Sequence, residues 1–160
     1  MRFQLFDKIL EFNKGRSIVG VKNATLESGN LFDVNNTLYY PASLSIEALA
    51  QLGGWFITAS RDFSLLVVLG MITGVEIHED IMIGDSLVLK VNLLEFMDGS
   101  SIVCGEVWKE GSRAIRVDRI VYGMFQIQEE SFAQKQKRVF SSFLPDHQVK
   151  RVIFRWEKEE

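Results

Sequence analysis

The apolar positions of this chain keep two different rhythms, a helical one in the first half and an alternating one in the second. From Pro41 to Ser60, Leu44, Ala48, Leu52 and Trp55 recur at helical spacing, with Pro41 or Ser43 placed to open the helix. Gly53-Gly54 inside it costs roughly 1 kcal/mol per glycine relative to alanine. The pair therefore predicts the close approach of another backbone, which a sheet wrapped tightly around the helix would supply. Ahead of the helix, Ser17 to Thr25 is rich in Val and Ile and follows the turn signal Asn13-Lys14-Gly15, so it reads as a strand. Leu26 to Tyr40, with Ser28-Gly29-Asn30 and Asn35-Asn36, reads as a surface-lining loop of the kind that carries function when a rigid scaffold positions it.

Beyond the helix the period shortens to two. Leu65 to Ile77 is β-branched and apolar, with Gly70 and Gly74 as bulge or bend points. Ile81-Met82-Ile83 runs into the turn pair Gly84-Asp85, after which Ser86 to Phe96 alternates: Leu87, Leu89, Val91 and Leu93 share one face, Lys90 and Asn92 the other. Asp98-Gly99 and Lys109-Glu110-Gly111-Ser112 are turn signals on either side of a strand from Ser101 to Trp108, and Arg113 to Ile127 is the last strand. With no helix between the later strands, a parallel βαβ arrangement is excluded. The pattern predicts an α+β protein with one long helix on one face of an antiparallel sheet. From Glu129 onward charge rises and periodicity fades, so the tail reads as an appendage in which Val149 to Trp156 is available as an edge strand or partner contact.

Composition narrows the class. A chain of 160 residues fits one domain, and 47% hydrophobic with 24% charged residues is a globular balance that excludes disorder. The net charge of -3, with no basic field before the tail, argues against a nucleic-acid partner. Cys104 is the single cysteine, which rules out an intramolecular disulfide or a multi-cysteine zinc site and makes a reducing cytoplasm the simplest setting. The first residues are interrupted by Asp7, Lys8 and Glu11, unlike a signal peptide, and the apolar run Leu65 to Ile72 is far short of the roughly 20 residues that cross a bilayer. No membrane partner is expected. Without metal-ligand spacing or a Gly-rich phosphate loop, neither a metal nor a cofactor is expected.

Glu47 is the sharpest chemical feature, an acidic residue in the otherwise apolar and small-residue stretch from Pro41 to Ala50. Gln51, Gly54 and Thr58 continue its line along the helix. Such a stripe either faces solvent or caps a neighbouring strand, or it borders an apolar pocket where desolvation raises a carboxyl pKa and suits it to general acid–base work. Spacing leaves both readings open. Trp55, Phe56 and Trp108 read as core or pocket wall, Cys104 as a small buried hydrophobe between Val103 and Gly105, and His78 and His147 as surface or structural residues.

The string Tyr40-Pro41-Ala42-Ser43-Leu44-Ser45-Ile46-Glu47-Ala48-Leu49-Ala50-Gln51 resembles the Met-Pro-Gly-Val-Leu-x-x-Glu-Ala-x-Ala-Gln helix of the β-hydroxyacyl acyl-carrier-protein dehydratases of fatty-acid synthesis. Phe6-Asp7-Lys8-Ile9-Leu10 and Ile18 to Thr25 are similar to that family's opening segment and first long strand. Ile83-Gly84-Asp85-Ser86-Leu87 resembles its Pro-Gly-Asp-x-Leu turn, so the resemblance runs from Phe6 to Ile127. It implies a hot-dog fold over residues 1–127, a long central helix wrapped by an antiparallel β-sheet, with 128–160 as a C-terminal extension forming a helix or an edge strand. It also implies an acyl thioester of acyl carrier protein or CoA as partner, and a homodimer or higher homo-oligomer.

For the site, the resemblance implies that Glu47 helps water leave while a loop histidine, contributed across a dimer interface, takes the α-proton. The backbone N–H after Pro41 would contact the thioester carbonyl. The family's Gly-His-Phe-Pro signature falls on Phe32-Asp33-Val34-Asn35, so Asp33 stands where histidine is expected, and a small gap would offer Asn35 or Asn36 instead. Ala42 replaces the glycine but keeps its N–H. The expected catalytic residues are therefore Glu47, Gln51 and Asp33, with Pro41, Ala42, Asn35, Gly54 and Trp55 against the substrate. Asp33 facing Glu47 would push one of the two carboxyl pKa values upward and give one acid and one base. Two other readings stand beside this one. In a thioesterase, Glu47 would activate water or attack the thioester itself, with Asn35 or Gln51 orienting the water. In an acyl-carrier binder without turnover, Glu47 would be a polar anchor.

Overall fold

A computed structural model describes residues 4–26 and 37–145 together with the backbone of residues 32–34. In chain order the elements are β1 (Lys8–Asn13), β2 (Ser17–Asn23), β3 (Phe32–Val34), β4 (Thr37–Tyr40), α1 (Ala42–Ser60), β5 (Leu65–Ile77), β6 (Ile81–Met82), β7 (Ser86–Met97), β8 (Ser100–Lys109), β9 (Ser112–Gln126) and α2 (Glu130–Ser142). Six strands form one antiparallel sheet in the order β1-β2-β7-β8-β9-β5, and β3, β4 and β6 form a small second sheet. This is the α+β, hot-dog arrangement that the alternating second half predicts, with α1 lying along the inner face of the large sheet.

Alternation explains which face is buried. Leu87, Leu89 and Val91 of β7, Val103 and Val107 of β8, and Ile115, Val117 and Ile120 of β9 are buried, and they meet Ala48, Leu49, Leu52 and Phe56 of α1 in one core. The turns follow from backbone chemistry. Between β8 and β9, Glu110 and Gly111 both have positive φ (49° and 83°), the left-handed conformation that a tight hairpin matching the twist of its strands requires. Gly70 marks a register shift in β5 between Leu69 and Met71, as its position predicts.

Seating a helix this closely on a sheet needs small residues. A Cβ on Gly105 would meet Leu49 Cδ2 at 2.5 Å, so only glycine admits the leucine there. Over Gly53 the close neighbour is the phenol of Tyr122, whose hydroxyl donates to the Ala50 carbonyl at 2.6 Å; it is a side chain and not the backbone that the glycine pair suggests. Gly53→Ala is expected to destabilise the protein by about 1–3 kcal/mol through overpacking, against the roughly 1 kcal/mol that alanine gains in a helix interior. Urea unfolding measures this, and adding Tyr122→Phe should recover part of the loss.

The structure departs from the sequence reading in several places. Leu26 to Tyr40 is not simply a loop, because β4 pairs with β6 (Tyr40 opposite Ile81) and β3 pairs with β4. Residues 27–31 and 35–36 lie outside the described residues, and with them Ser28-Gly29-Asn30 and Asn35-Asn36. β1 precedes the first expected strand and forms a hairpin with it around the Asn13-Lys14-Gly15 turn. Cys104 is half-buried on the outer face, because Val103 and Gly105 both point inward; its thiol Sγ lies 3.8 Å from the Asn92 carbonyl. Trp108 also lies on the outer face, beneath the Lys90 ammonium (4.3 Å from the ring centroid), and so is not part of the core.

Of the C-terminal extension, Glu130–Ser142 is a helix, one of the two forms expected of it, and Val149 to Trp156 lies outside the described residues. α2 lays Phe140, fully buried, against Phe12, Trp55 and Phe63 with ring centroids 5.4, 6.2 and 5.6 Å away. Phe143, at the end of α2, packs on Phe6 and Trp55, and its carbonyl accepts a hydrogen bond from the Ile9 N–H at 2.8 Å. The outer side of α1 is thereby covered. Among the described residues no helix is long and apolar enough to cross a membrane.

Candidate functional site

α1 starts at Ala42, with Pro41 in extended conformation (φ -59°, ψ 126°) immediately before it and its carbonyl accepting the Leu44 N–H. The apolar residues of the helix turn toward the sheet. The line Glu47, Gln51, Gly54, Thr58 is left along one flank, where it borders a groove of about 310 Å³. The opposite wall is the start of β5, with Leu66, Val67 and Leu69, and Tyr122 of β9 forms the floor. Gln4 and, from α2, Gln136 complete the lining together with Trp55.

Glu47 itself is exposed, at the rim of the groove. Its position is nonetheless fixed. The Leu5 N–H donates to Gln51 Oε1 at 3.0 Å, so the amide of Gln51 must turn its NH₂ the other way. There it donates to Glu47 Oε1 at 3.2 Å. A short relay from the N-terminal segment thus aims the carboxylate, leaving its second oxygen for another partner. Tyr122 is buried and its hydroxyl is committed to Ala50; burial and then the nearby charge of Glu47 both raise its pKa, so it remains a neutral phenol.

Of the residues that the sequence singles out, Glu47, Gln51, Gly54 and Trp55 meet at the groove. Ala42 begins the helix with Pro41 just ahead of it, five and six residues before Glu47 and about 7 to 9 Å along its axis, and neither lines the groove. Asp33 is on β3, paired with Leu38, with its side chain outside the described residues; Asn35 lies outside them altogether. His78 is exposed just past the end of β5, with Nε2 3.4 Å from Glu76 Oε2, and has no part in the groove. His147 is outside the described residues. The Cys104 thiol is on the other face of the sheet, and burial raises its pKa above the ordinary value, which disfavours the thiolate.

Sequence reasoning missed Gln4, Tyr122, Gln136 and the β5 wall. Leu66 and Leu69 reach the groove because β5 is the edge strand beside α1, a pairing that no local pattern encodes. Tyr122 could have been found as the bulky inward residue opposite Ser101 of β8.

Several solved structures share this fold. The dehydratase heterocomplex ApeI:P of Xenorhabdus doucetiae superposes with a TM-score of 0.64 at 18% identity, over 83% of this chain and 89% of that one. The smu.793 protein of Streptococcus mutans UA159, bound to acetyl CoA, gives a TM-score of 0.64 at 12% identity, over 81% and 95% of the two chains. A hypothetical thioesterase of Streptococcus pneumoniae TIGR4 with coenzyme A gives 0.61 at 11% identity, over 76% and 88%. The architecture is thus that of the hot-dog thioesterases and dehydratases. No protein-family model matches the sequence. The 3-hydroxyacyl-acyl-carrier-protein dehydratase FabZ of Oleidesulfovibrio alaskensis, however, is 32% identical over 128 residues, which cover 72% of this chain and 81% of that protein. The chain belongs to the FabZ-type 3-hydroxyacyl-acyl-carrier-protein dehydratase family.

Proposed function

We propose that this protein binds acyl thioesters of acyl carrier protein or CoA, with the acyl group in the α1 groove and the thioester beside Glu47, and that Glu47 is the acid–base group there. One observation carries the reading: the carboxylate stands at the groove rim, aimed by Gln51, with one oxygen left for substrate. With a 3-hydroxyacyl thioester, a base takes the α-proton, the C3–O bond breaks, and the carboxylic acid of Glu47 protonates the departing hydroxyl to water. The base is proposed to be Asp33, at the position where the family pattern has histidine. Pro41, Ala42 and Asn35 would face the thioester end, with the Ala42 N–H toward its carbonyl.

A second reading is hydrolysis, in which Glu47 takes a proton from water as it attacks the thioester carbonyl and the thiolate leaves. It is favoured because among the described residues that line the groove Glu47 is the single carboxylate, Tyr122 being held as a neutral phenol, and hydrolysis asks for one base.

The protein is further proposed to work in the cytoplasm as a homodimer, with residues 1–127 as the hot-dog domain and the remainder as an extension to it. β5 is an edge strand of the large sheet and exposes Val68, Met71 and Ile77 at 46%, 53% and 54%. A long apolar edge invites pairing, and a second copy set against it would cover these side chains.

Incubation with 3-hydroxyacyl and with saturated acyl thioesters, following enoyl absorbance and free thiol in parallel, tests the proposal. Enoyl product is the expected result for a lyase and thiol release for a thioesterase. Saturable binding without either product removes the catalytic role of Glu47, and no binding of any thioester removes the whole reading.

A further inference from the structure

Beside Glu47 the groove brings together three polar side chains, Gln51, Tyr122 and Gln4. Two of them are committed. Gln51 takes the Leu5 N–H on Oε1 and gives Nε2 to Glu47, and the Tyr122 hydroxyl donates to the Ala50 carbonyl. Gln4 differs: its amide nitrogen is buried and meets no acceptor among the described residues, a state that folded proteins rarely keep without a purpose.

Chain connectivity holds Gln4 at the carboxylate end. The next residue, Leu5, gives its N–H to Gln51 at 3.0 Å, and Gln51 in turn gives to Glu47 at 3.2 Å, so Gln4 lines the groove from a segment anchored beside that carboxylate. It lies ahead of Phe6, where the resemblance to the dehydratase family begins, and is therefore a feature of this chain's own N-terminal segment. The nitrogen is shut off from solvent while the residue as a whole is half-buried, so the amide reaches a ligand by turning about its last side-chain bond. That torsion is broad and roughly two-fold. The turn breaks no bond of the nitrogen, because the nitrogen makes none.

We infer that Gln4 is a specificity-determining residue that donates a hydrogen bond to the 3-hydroxyl oxygen of a bound acyl thioester, beside the carboxyl of Glu47. This deepens the 3-hydroxyacyl reading of the groove and rests on it. A hydroxyl oxygen carries two lone pairs. It can take the Gln4 N–H and the Glu47 proton together, and both donors stabilise the charge that gathers on this oxygen as the C3–O bond breaks. A saturated chain puts a methylene at the same point and leaves the Gln4 N–H without an acceptor. The groove should therefore select 3-hydroxyacyl over saturated chains of equal length.

The test is calorimetric titration of the full chain carrying Glu47→Gln, which stops turnover and keeps the bond from Gln51. Hexanoyl and 3-hydroxyhexanoyl thioesters are each offered on CoA and on acyl carrier protein. The hydroxylated chain is expected to bind about tenfold more tightly on a carrier that binds, the scale of one or two neutral hydrogen bonds. Adding Gln4→Met keeps the side-chain length, removes the N–H and should bring the two affinities to within about threefold. A purely structural Gln4 would instead weaken both probes alike and leave their ratio unchanged. Thermal melting verifies that the variant folds, with Gln4→Leu as the alternative if it does not. Equal affinities before Gln4 is changed, or a ratio unchanged after it, overturn the role of Gln4 while leaving the groove as the acyl site. Failure of all four thioesters to bind overturns that role together with the acyl-thioester reading.

Discussion

Glu47→Gln is expected to lower thioester turnover by about 10²- to 10⁴-fold, the range that a positioned acid or base contributes, whichever product the wild type forms. The substitution is nearly isosteric. The new amide oxygen can still accept from Gln51 Nε2, so the relay from Leu5 survives and the carboxylate's proton chemistry alone is removed. Because Glu47 is exposed, stability should move by no more than about 0.5 kcal/mol. The loss should appear in kcat with KM little changed, since an interaction made in the transition state is what disappears. Measured rates within twofold of wild type would exclude this carboxylate as the catalytic group.

Phe140→Ala should cost about 3–5 kcal/mol, as truncation of a fully buried aromatic does. The ring touches Phe12, Trp55 and Phe63, so its removal uncouples α2 from α1 and β1 at once. Set against a typical stability of about 5–15 kcal/mol, this is a large share for one residue beyond the last strand. Denaturant unfolding checks it: the midpoint should fall sharply, and a change under about 1 kcal/mol would mean that α2 is only loosely attached, contrary to burial of this ring. Since Gln136 rides on the same helix, groove binding should weaken in parallel.

Both expectations bear on how much could be read before any coordinates. The meander was legible because Gly84, Gly99 and Gly111 sit where the chain must take positive φ, and because Leu87, Leu89 and Val91 alternate with polar neighbours. α1 was legible for the same kind of reason. β1 was hidden by Lys8 and Glu11, which are tolerable because one flank of that strand is the sheet edge. Cys104 has apolar and small neighbours in sequence, yet the period of two around Val103 and Gly105 places it on the outer face and leaves it half-buried. α2 escaped because a mostly polar helix docks through Phe140 alone among its fully buried residues, too sparse a stripe to detect. In the site, the Glu47, Gln51, Gly54, Thr58 line followed from helical spacing. The phenol above Gly53 and the two distant glutamines did not, since each depends on contacts between residues far apart in sequence.

The bond between Ile9 and the carbonyl of Phe143 links the first strand to the end of the last helix. During synthesis the strands can pair as they emerge, but this latch has to wait until almost the entire described chain has left the ribosome. Contacts of such long separation are slow to form. A nascent polypeptide halted after β9 would therefore present Phe12, Trp55 and Phe63 without their cover, the kind of bare aromatic surface on which chaperones and neighbouring chains compete.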